Sequence, residues 1–263
     1  MRIDLHTHAK WSKSIDFSYD YYRSMMKEAH HNHLDAVALT EHFHTRRFAD
    51  IYDTLDRHCR YEGDYYVVEG VKVFPGIEVD VKENGHILLI GARENILAVR
   101  SRLEGHTEES HYIELERLLR LSDEYSCIRI GAHPFRGANP LHHVQPELLA
   151  QLDAFDVNGR DLHHYGLNME GRVLDLARQI GLPVVAGSDT HQPLQFGSVY
   201  NELEEDCDTI EQLRDAIRQG ACAYQISPHL HAKVAAAEAE QTRYKKEWAT
   251  RSMGSVIAGD IDG

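Results

Sequence analysis

Short apolar runs that each stop at a polar cluster recur along the chain, and amphipathic stretches separate them. Met1 to Leu5 leads into His6-Thr7-His8, Ala36-Val37-Ala38-Leu39 into Thr40-Glu41-His42, and Val71-Lys72-Val73-Phe74-Pro75-Gly76-Ile77 into Glu78. Cys127-Ile128-Arg129-Ile130-Gly131-Ala132 ends at His133, and Pro183-Val184-Val185-Ala186-Gly187 ends at Ser188-Asp189-Thr190-His191. Gly85-His86-Ile87-Leu88-Leu89-Ile90-Gly91 instead opens with its imidazole. Runs of this length bounded by turn residues predict buried strands. Helical spacing appears between them: Tyr22, Met25, Met26 and Ala29 within Tyr19 to His31, then Ile51, Leu55 and Cys59 within Phe48 to Arg60. Leu115, Leu118 and Leu119 do the same within Ile113 to Leu121, as do Val173, Leu174, Ala177 and Ile180 within Met169 to Ile180. That last helix has an exit signal in Gly181 with Pro183 beyond it. Asp208-Thr209 followed by Glu211 predicts a capped helix to Arg218, ended at Gly220.

Strands and helices alternating in this order predict an α/β fold with a parallel sheet covered by helices. Many strands with converging polar ends favour a closed or nearly closed, TIM-like barrel whose site lies at the C-terminal ends of the strands. An open doubly wound sheet is the alternative, but no Gly-rich dinucleotide fingerprint follows any strand. Without an internal repeat or a linker, residues 1–231 read as one barrel. Residues 232–263 read as a helix-forming stretch, Lys233 to Glu240, and a polar tail in which Gly254 to Gly263 is expected to fray.

With 263 residues, 42% hydrophobic and 27% charged, the chain has the composition of a soluble globular protein large enough for a sizeable core. No apolar run approaches the roughly 18 residues of a membrane span, and Met1 leads directly into a strand with no apolar leader, so a cytoplasmic location is expected. Cys59, Cys127, Cys207 and Cys222 form no Cys-x-x-Cys pair and read as small buried apolar residues. A net charge of -14 disfavours duplex nucleic acid and anionic membrane surfaces, which are held by Lys and Arg. Divalent ions in one pocket would reverse that field locally. The compositional outlier is the 19 histidines.

In an extended strand His6 and His8 project to one face while Leu5 and Thr7 project to the other, so the two imidazoles can grip one cation. A lone His-x-His more often ends an ordinary strand. Here Glu78 and Asp189 also follow apolar strands, where an unpaired carboxylate is costly to bury and a metal would satisfy it. Together with His42, His86 and His133 they indicate a multi-metal site. His30, His31 and His33 suit a helix end. His58, His106 and His111 fall in polar helical or loop sequence, and His142, His143, His163, His164, His229 and His231 in loops. Arg136, after His133-Pro134-Phe135, and Arg160, after Val157-Asn158-Gly159, are candidate phosphate forks. Either could equally pair with an acid such as Asp161.

These residues carry a family resemblance. Asp4-Leu5-His6-Thr7-His8, Thr40-Glu41-His42, Gly76-Ile77-Glu78, His86, His133 and Gly187-Ser188-Asp189-Thr190-His191 resemble, in order, the motifs of the PHP (polymerase and histidinol phosphatase) family of metal-dependent phosphoesterases. The match extends from residue 2 to about residue 227. The resemblance implies a distorted (β/α)7 barrel holding two or three divalent ions, for which His and carboxylate ligands admit zinc, manganese or iron. It implies that His6, His8, Glu78 and Asp189 hold one metal. Glu78 bridges to a second with His133 and the candidate His86, and His42 with His191 holds a third. His191 is counted among the catalytic residues as well. The implied reaction is hydrolysis of a small phosphomonoester, such as a nucleotide or histidinol phosphate, by a metal-activated hydroxide. An amidohydrolase-like cleavage of a C–N bond and a non-catalytic metal-binding module are the alternatives. Where many members have an acid or histidine after the first motif, this chain reads Ala9-Lys10-Trp11-Ser12-Lys13-Ser14-Ile15-Asp16. Lys13 repels a cation, so the expectation is a weaker third site with Lys13 turned to the substrate phosphate, or with Asp16 as a substitute ligand.

Overall fold

A computed structural model describes residues 1–259, with the side chains of residues 1–247 and 250. In chain order its elements begin β1 (Arg2–Thr7), α1 (Tyr19–His31), β2 (Ala36–Leu39), α2 (Ala49–His58), β3 (Arg60–Glu62), β4 (Tyr65–Val68), β5 (Val71–Val81) and β6 (Gly85–Ile90). They continue with α3 (Arg93–Arg102), α4 (Leu115–Glu124), β7 (Ile128–Ala132), α5 (Pro146–Leu149), β8 (Ala154–Asn158), α6 (Gly159–Tyr165) and α7 (Asn168–Ile180). The last are β9 (Val184–Gly187), β10 (Val199–Leu203), α8 (Ile210–Arg218), β11 (Cys222–Ile226) and α9 (Leu230–Gly259).

Seven strands, β1, β2, β5, β6, β7, β8 and β9, curl into a nearly closed barrel, and β10 and β11 extend the sheet antiparallel beside β1. The expected parallel sheet is corrected at the β3–β4 hairpin, which joins β5 antiparallel, at β10 and β11 and, inside the barrel, at β6, which runs antiparallel to both β5 and β7. The cause is local, since β5 and β6 are joined by a tight turn at Lys82 to Asn84, with Asn84 at φ 65°, too short for the crossover a parallel pair requires. That reversal explains why His86, near the start of its strand, shares a rim with the candidate ligands at or just beyond the ends of β1, β2, β7 and β9. The start of β6 lies at the same rim as the ends of its antiparallel neighbours β5 and β7.

The seam of the barrel is made by backbone and by one amide. Thr7 bridges Thr190 in parallel, and the Asp189 and His8 amides donate to the His6 and Thr190 carbonyls at 2.8 and 2.9 Å. At the other end, buried Asn201 of β10 donates to the Ile3 and Ala186 carbonyls and accepts from the Ala186 amide, tying β1 to β9. Close approach is possible because Gly187 lacks a side chain: a Cβ there would lie 2.2 Å from that of His6.

The β1 register against β2 shifts between Asp4 and Thr7, an irregularity of the kind that re-aims side chains beside active sites. Ile3 and Leu5 join one apolar cluster with Phe74, Leu88 and Ile130, while His6 and His8 lie in a polar cluster beyond it. A second apolar cluster forms the layer that includes α1, α2 and α4, with Tyr22, Met25, Leu55 and Leu118 fully buried.

Helix expectations hold for α1 and α7, the latter ending at left-handed Gly181. The second helix stops at His58, because Arg60 is drawn into the β3–β4 hairpin. Ile113 bridges Val81 outside the fourth helix. The cap of α8 is a reciprocal Thr209–Gln212 box in place of one using Glu211. His163 and His164 lie on α6, and His231 on α9, not in loops. Leu230, Val234 and Ala237 of α9 are buried. Residues 260–263, within the expected tail, lie outside the described residues. Among the described residues no helix is long and apolar enough to cross a membrane, and all four cysteines are free.

Candidate metal centre

The polar ends of the strands meet around Glu78. Its carboxylate lies 2.7 Å from His42 Nδ1, 2.6 Å from His86 Nδ1 and 3.3 Å from His133 Nε2. His8 Nε2 and His6 Nε2 stand 3.5 and 3.7 Å away. Asp189 Oδ1 completes the cluster at 3.2 Å from His8 Nε2, 3.7 Å from His6 Nε2 and 3.9 Å from His191 Nδ1. Three overlapping sets have their ligand atoms within 4.8 Å of one another: His6, His8 and Asp189; His6, Glu78 and His133; and His8, His42 and His191. The first two centre on the pairs expected to share Glu78 and Asp189, and the third adds His8 to His42 and His191.

The donor set fits metal ions on two counts. Ligand atoms about 2.0–2.1 Å from one tetrahedral ion stand roughly 3.3 Å apart, and the separations of His133 and His8 from Glu78, at 3.3 and 3.5 Å, and of His8 from Asp189, at 3.2 Å, are close to that. In addition, His6 Nε2 and both nitrogens of His8 are buried without a hydrogen-bond partner, an expensive state that coordination relieves for those aimed at an ion. Two of the candidate ligands sit in strained backbone: His133 at φ 30° and Asp189 at φ 58° occupy the left-handed region that favours glycine. Side chains kept in such positions mark functional sites.

Electrostatics divides the imidazoles. Burial pushes His42 down to about 4 and holds His133 and His191 well below the usual range, so these three are neutral and available as ligands near pH 7. Burial acts in the same direction on His6, but Asp189, Asp156 and Glu78 overcome it and raise its pKa. His8 is likewise raised by Asp189 and Glu41. Burial would raise Glu78 and Asp189, yet His42 and His86 hold the former, and Arg136 and His6 the latter, well below the usual carboxylate range.

The surrounding residues explain the orientation of the ligands, and most of them are not evident from ligand motifs. Asp156 Oδ2 accepts from His6 Nδ1 at 3.1 Å, leaving Nε2 for the centre. Glu41 accepts the amides of Ala9, Lys10 and His42 and lies 3.8 Å from His8 Nδ1. Asp80 clamps His86 from the far side at 2.9 Å and faces His44 at 3.4 Å. Asp4 accepts the Ser188 and His6 amides, linking the first motif to the last. Period-two alternation along Asp156-Val157-Asn158 was the available signal for the β8 residues. Replacing Asp156 by Asn should weaken metal affinity about 10- to 100-fold, the range for loss of such an outer carboxylate. A competition titration against a chromophoric chelator checks this, and unchanged affinity would remove Asp156 from the centre.

The cationic candidates separate. Arg136 is a positioning group: its guanidinium donates to Asp161 at 2.7 Å, Asn158 at 3.0 Å and Asp189 at 2.8 Å. Arg160 is one-third exposed and lines a narrow cleft with Asp189, His191, Gln192, Gln195 and the α9 residues Ala237, Glu238 and Gln241. Lys13 is exposed at the rim, with Nζ 3.0 Å from His44 Nε2. Asp16 pairs with Arg46 and Arg47 at 3.0 and 3.9 Å rather than turning in as a ligand.

A PHP-associated family model matches residues 171–222, the stretch that carries Asp189 and His191. No curated protein matches the sequence. Among solved structures the chain is similar to PsfC from Pseudomonas syringae PB-5123, with a TM-score of 0.77 and 19% identity over 92% of this chain and 98% of that one. It is also similar to the lesion-specific endonuclease PfuEndoQ from Pyrococcus furiosus, at TM-score 0.61 and 19% identity, covering 85% of this chain but 57% of the endonuclease. An amidohydrolase from Chromobacterium violaceum, with bound sulfate and no metal, follows at TM-score 0.51 and 17% identity, covering 84% of this chain and 96% of that one. At such identities the structures establish the barrel fold and leave activity open. The family match over residues 171–222 falls on the stretch that carries Gly187 to His191, the last of the ordered motifs that begin at Asp4, and so supports the resemblance to the PHP family.

Proposed function

We propose that this protein is a metal-dependent phosphoesterase that hydrolyses a small phosphomonoester, such as a nucleotide or histidinol phosphate. The observation that carries the reading is the buried Glu78 carboxylate with five imidazoles, those of His6, His8, His42, His86 and His133, within 3.7 Å of it. Two or three divalent ions held by His6, His8, His42, Glu78, His133, Asp189 and His191, with His86 as a further candidate, would supply Lewis acidity and a nucleophilic oxygen at neutral pH. Phosphate-monoester hydrolysis demands a barrier reduction on the order of 20 kcal/mol. General acid–base catalysis alone contributes about 10²- to 10⁴-fold.

The chain's own residues do the rest. Arg136, bonded to Asp189, Asp161 and Asn158, keeps the Asp189 carboxylate aimed at His8. Arg160 lines the cleft with Asp189 and His191 and neutralises an incoming phosphate, while Lys13 adds positive charge beside His44. His191, 13% exposed and neutral near pH 7, is the candidate ligand nearest solvent and so the one closest to an entering substrate. Deep placement of the other ligands favours a small substrate.

The test is turnover by protein reconstituted with zinc, manganese or iron against small phosphomonoesters, amides and a duplex oligonucleotide with an abasic site. Phosphomonoester hydrolysis abolished by chelation is expected. Turnover of amides alone would favour the amidohydrolase-like reading. Cleavage of the oligonucleotide alone would move the substrate class to nucleic acid, the substrate present in a solved endonuclease Q complex of similar fold. Arg160→Ala should cost about 1.5–3 kcal/mol in kcat/KM, the range for a hydrogen bond to a charged group, with metal content unchanged. Wild-type kcat/KM in that variant would exclude Arg160 from phosphate binding.

A further inference from the structure

Three histidines and a glutamate outside the metal centre converge where α6 meets α9. One nitrogen from each of His163 and His164, on α6, and one carboxylate oxygen of Glu238, on α9, lie within 4.8 Å of one another. His164 Nε2 is 2.7 Å from Glu238 Oε1, and His163 Nδ1 faces His231 Nδ1 of α9 at 3.2 Å. Facing imidazole nitrogens need either one ring N–H between them or a shared cation, and 3.2 Å is close to the spacing of two ligands on one ion. His164 and Glu238 are 44% and 31% exposed, so an ion reaches them from solvent without opening the fold. None of the four residues belongs to the Glu78 centre.

We propose that His163, His164 and Glu238, with His231 beside them, bind one divalent transition-metal ion that staples α9 to α6. Imidazole and carboxylate donors select zinc, nickel, cobalt or copper over calcium and magnesium, which prefer all-oxygen sites. The staple acts on the catalytic cleft through Glu238, whose Oε1 is 3.6 Å from Arg160 Nη2. Ala237, Glu238 and Gln241 form the cleft wall opposite Asp189 and His191, and Gln241 ties that wall to the Trp11 carbonyl at 2.9 Å. When the ion takes the Glu238 carboxylate, Arg160 loses its acidic partner and its guanidinium is left to an anionic substrate. The site stands on its own geometry; only the effect on substrate rests on the phosphoester reading.

The experiment uses full-length protein whose catalytic centre is already loaded, with nickel as the probe. Wild type should take up one nickel per chain more than His163→Ala/His164→Ala, and nickel should protect α9 from protease and raise Tm in wild type alone. Copper bound in place of nickel should show nitrogen hyperfine coupling that the double variant lacks. His231→Ala and Glu238→Gln, each altering one α9 side chain, repeat the comparison should the double variant misfold. Equal uptake and equal protection in wild type and variants would overturn the site. Glu78→Gln separates the two readings: it should empty the catalytic centre and leave nickel binding at α6 and α9 intact. With the site confirmed, nickel should lower KM for a phosphomonoester several-fold in wild type and not in Arg160→Ala. An unchanged wild-type KM would overturn the coupling.

Discussion

If Glu78 is the hub of the proposed metal centre, Glu78→Gln is expected to abolish turnover and to lower the protein's metal content. The side chain stays the same size, so the fold around it has no steric reason to change; what is lost is one negative charge amid five imidazoles. Removing a shared ion forfeits several kcal/mol of transition-state stabilisation, about 10³-fold or more in kcat at 1.4 kcal/mol per decade. The amide also loses the ability to hold protonated neighbours. Burial alone would lower His86, but Glu78 and Asp80 lift it to about 9, so in the metal-free variant its titration should move toward lower pH. Metal content by mass spectrometry, kcat and an NMR titration of His86 test this together. Full metal content with normal kcat would show that Glu78 is not the hub.

Gly187→Ala should be strongly disruptive although it alters no candidate ligand. Its new Cβ would meet the His6 Cβ at 2.2 Å and the His6 amide nitrogen at 3.1 Å, and neither belongs to a side chain free to swing away. Overpacking of this kind costs about 1–3 kcal/mol and occasionally more, or a fall in Tm of roughly 2–4 °C per kcal/mol for a domain of this size. The same displacement separates β1 from β9, and with them His6 and His8 from Asp189. Metal affinity should therefore fall alongside Tm, although no ligand is changed. Calorimetry and a chelator competition check the two effects. A Tm and metal affinity equal to wild type would mean that the seam has slack, and that the approach of β9 to β1 does not set the centre.

Much of this arrangement is legible in the sequence because strands carry a simple code. An apolar run ending in a ligand predicts both a buried strand and the rim at which its polar end appears, which is why His6, His8, His42, Glu78, His133, Asp189 and His191 could be selected before any contact was known. Helices with a clear stripe, such as Tyr19 to His31, follow from the same kind of periodicity. A resemblance of ordered motifs pointed to a family and to its expected metal centre.

The sequence by itself thus determined the donor types, their order and the strands that deliver them. Only the tertiary structure decided what joins what, because that depends on contacts between residues far apart in the chain. Asp156 reaches His6 across 150 positions and Asn201 reaches Ile3 across 198; neither distance leaves a periodic trace. The reversal of β6 came from a short turn and converted a strand-opening His86 into a neighbour of Glu78. Arg136 and Arg160, alike in sequence as basic residues after apolar strands, were separated by burial: one is spent on Asp161, Asn158 and Asp189, while the other remains at the cleft. Likewise α9 reads locally as a plain helix former, and it is packing of Leu230, Val234 and Ala237 that brings Glu238 and Gln241 to the cleft. Local propensity sets the elements, whereas long-range packing and the cost of leaving buried charge unpaired select the one arrangement in which these donors meet.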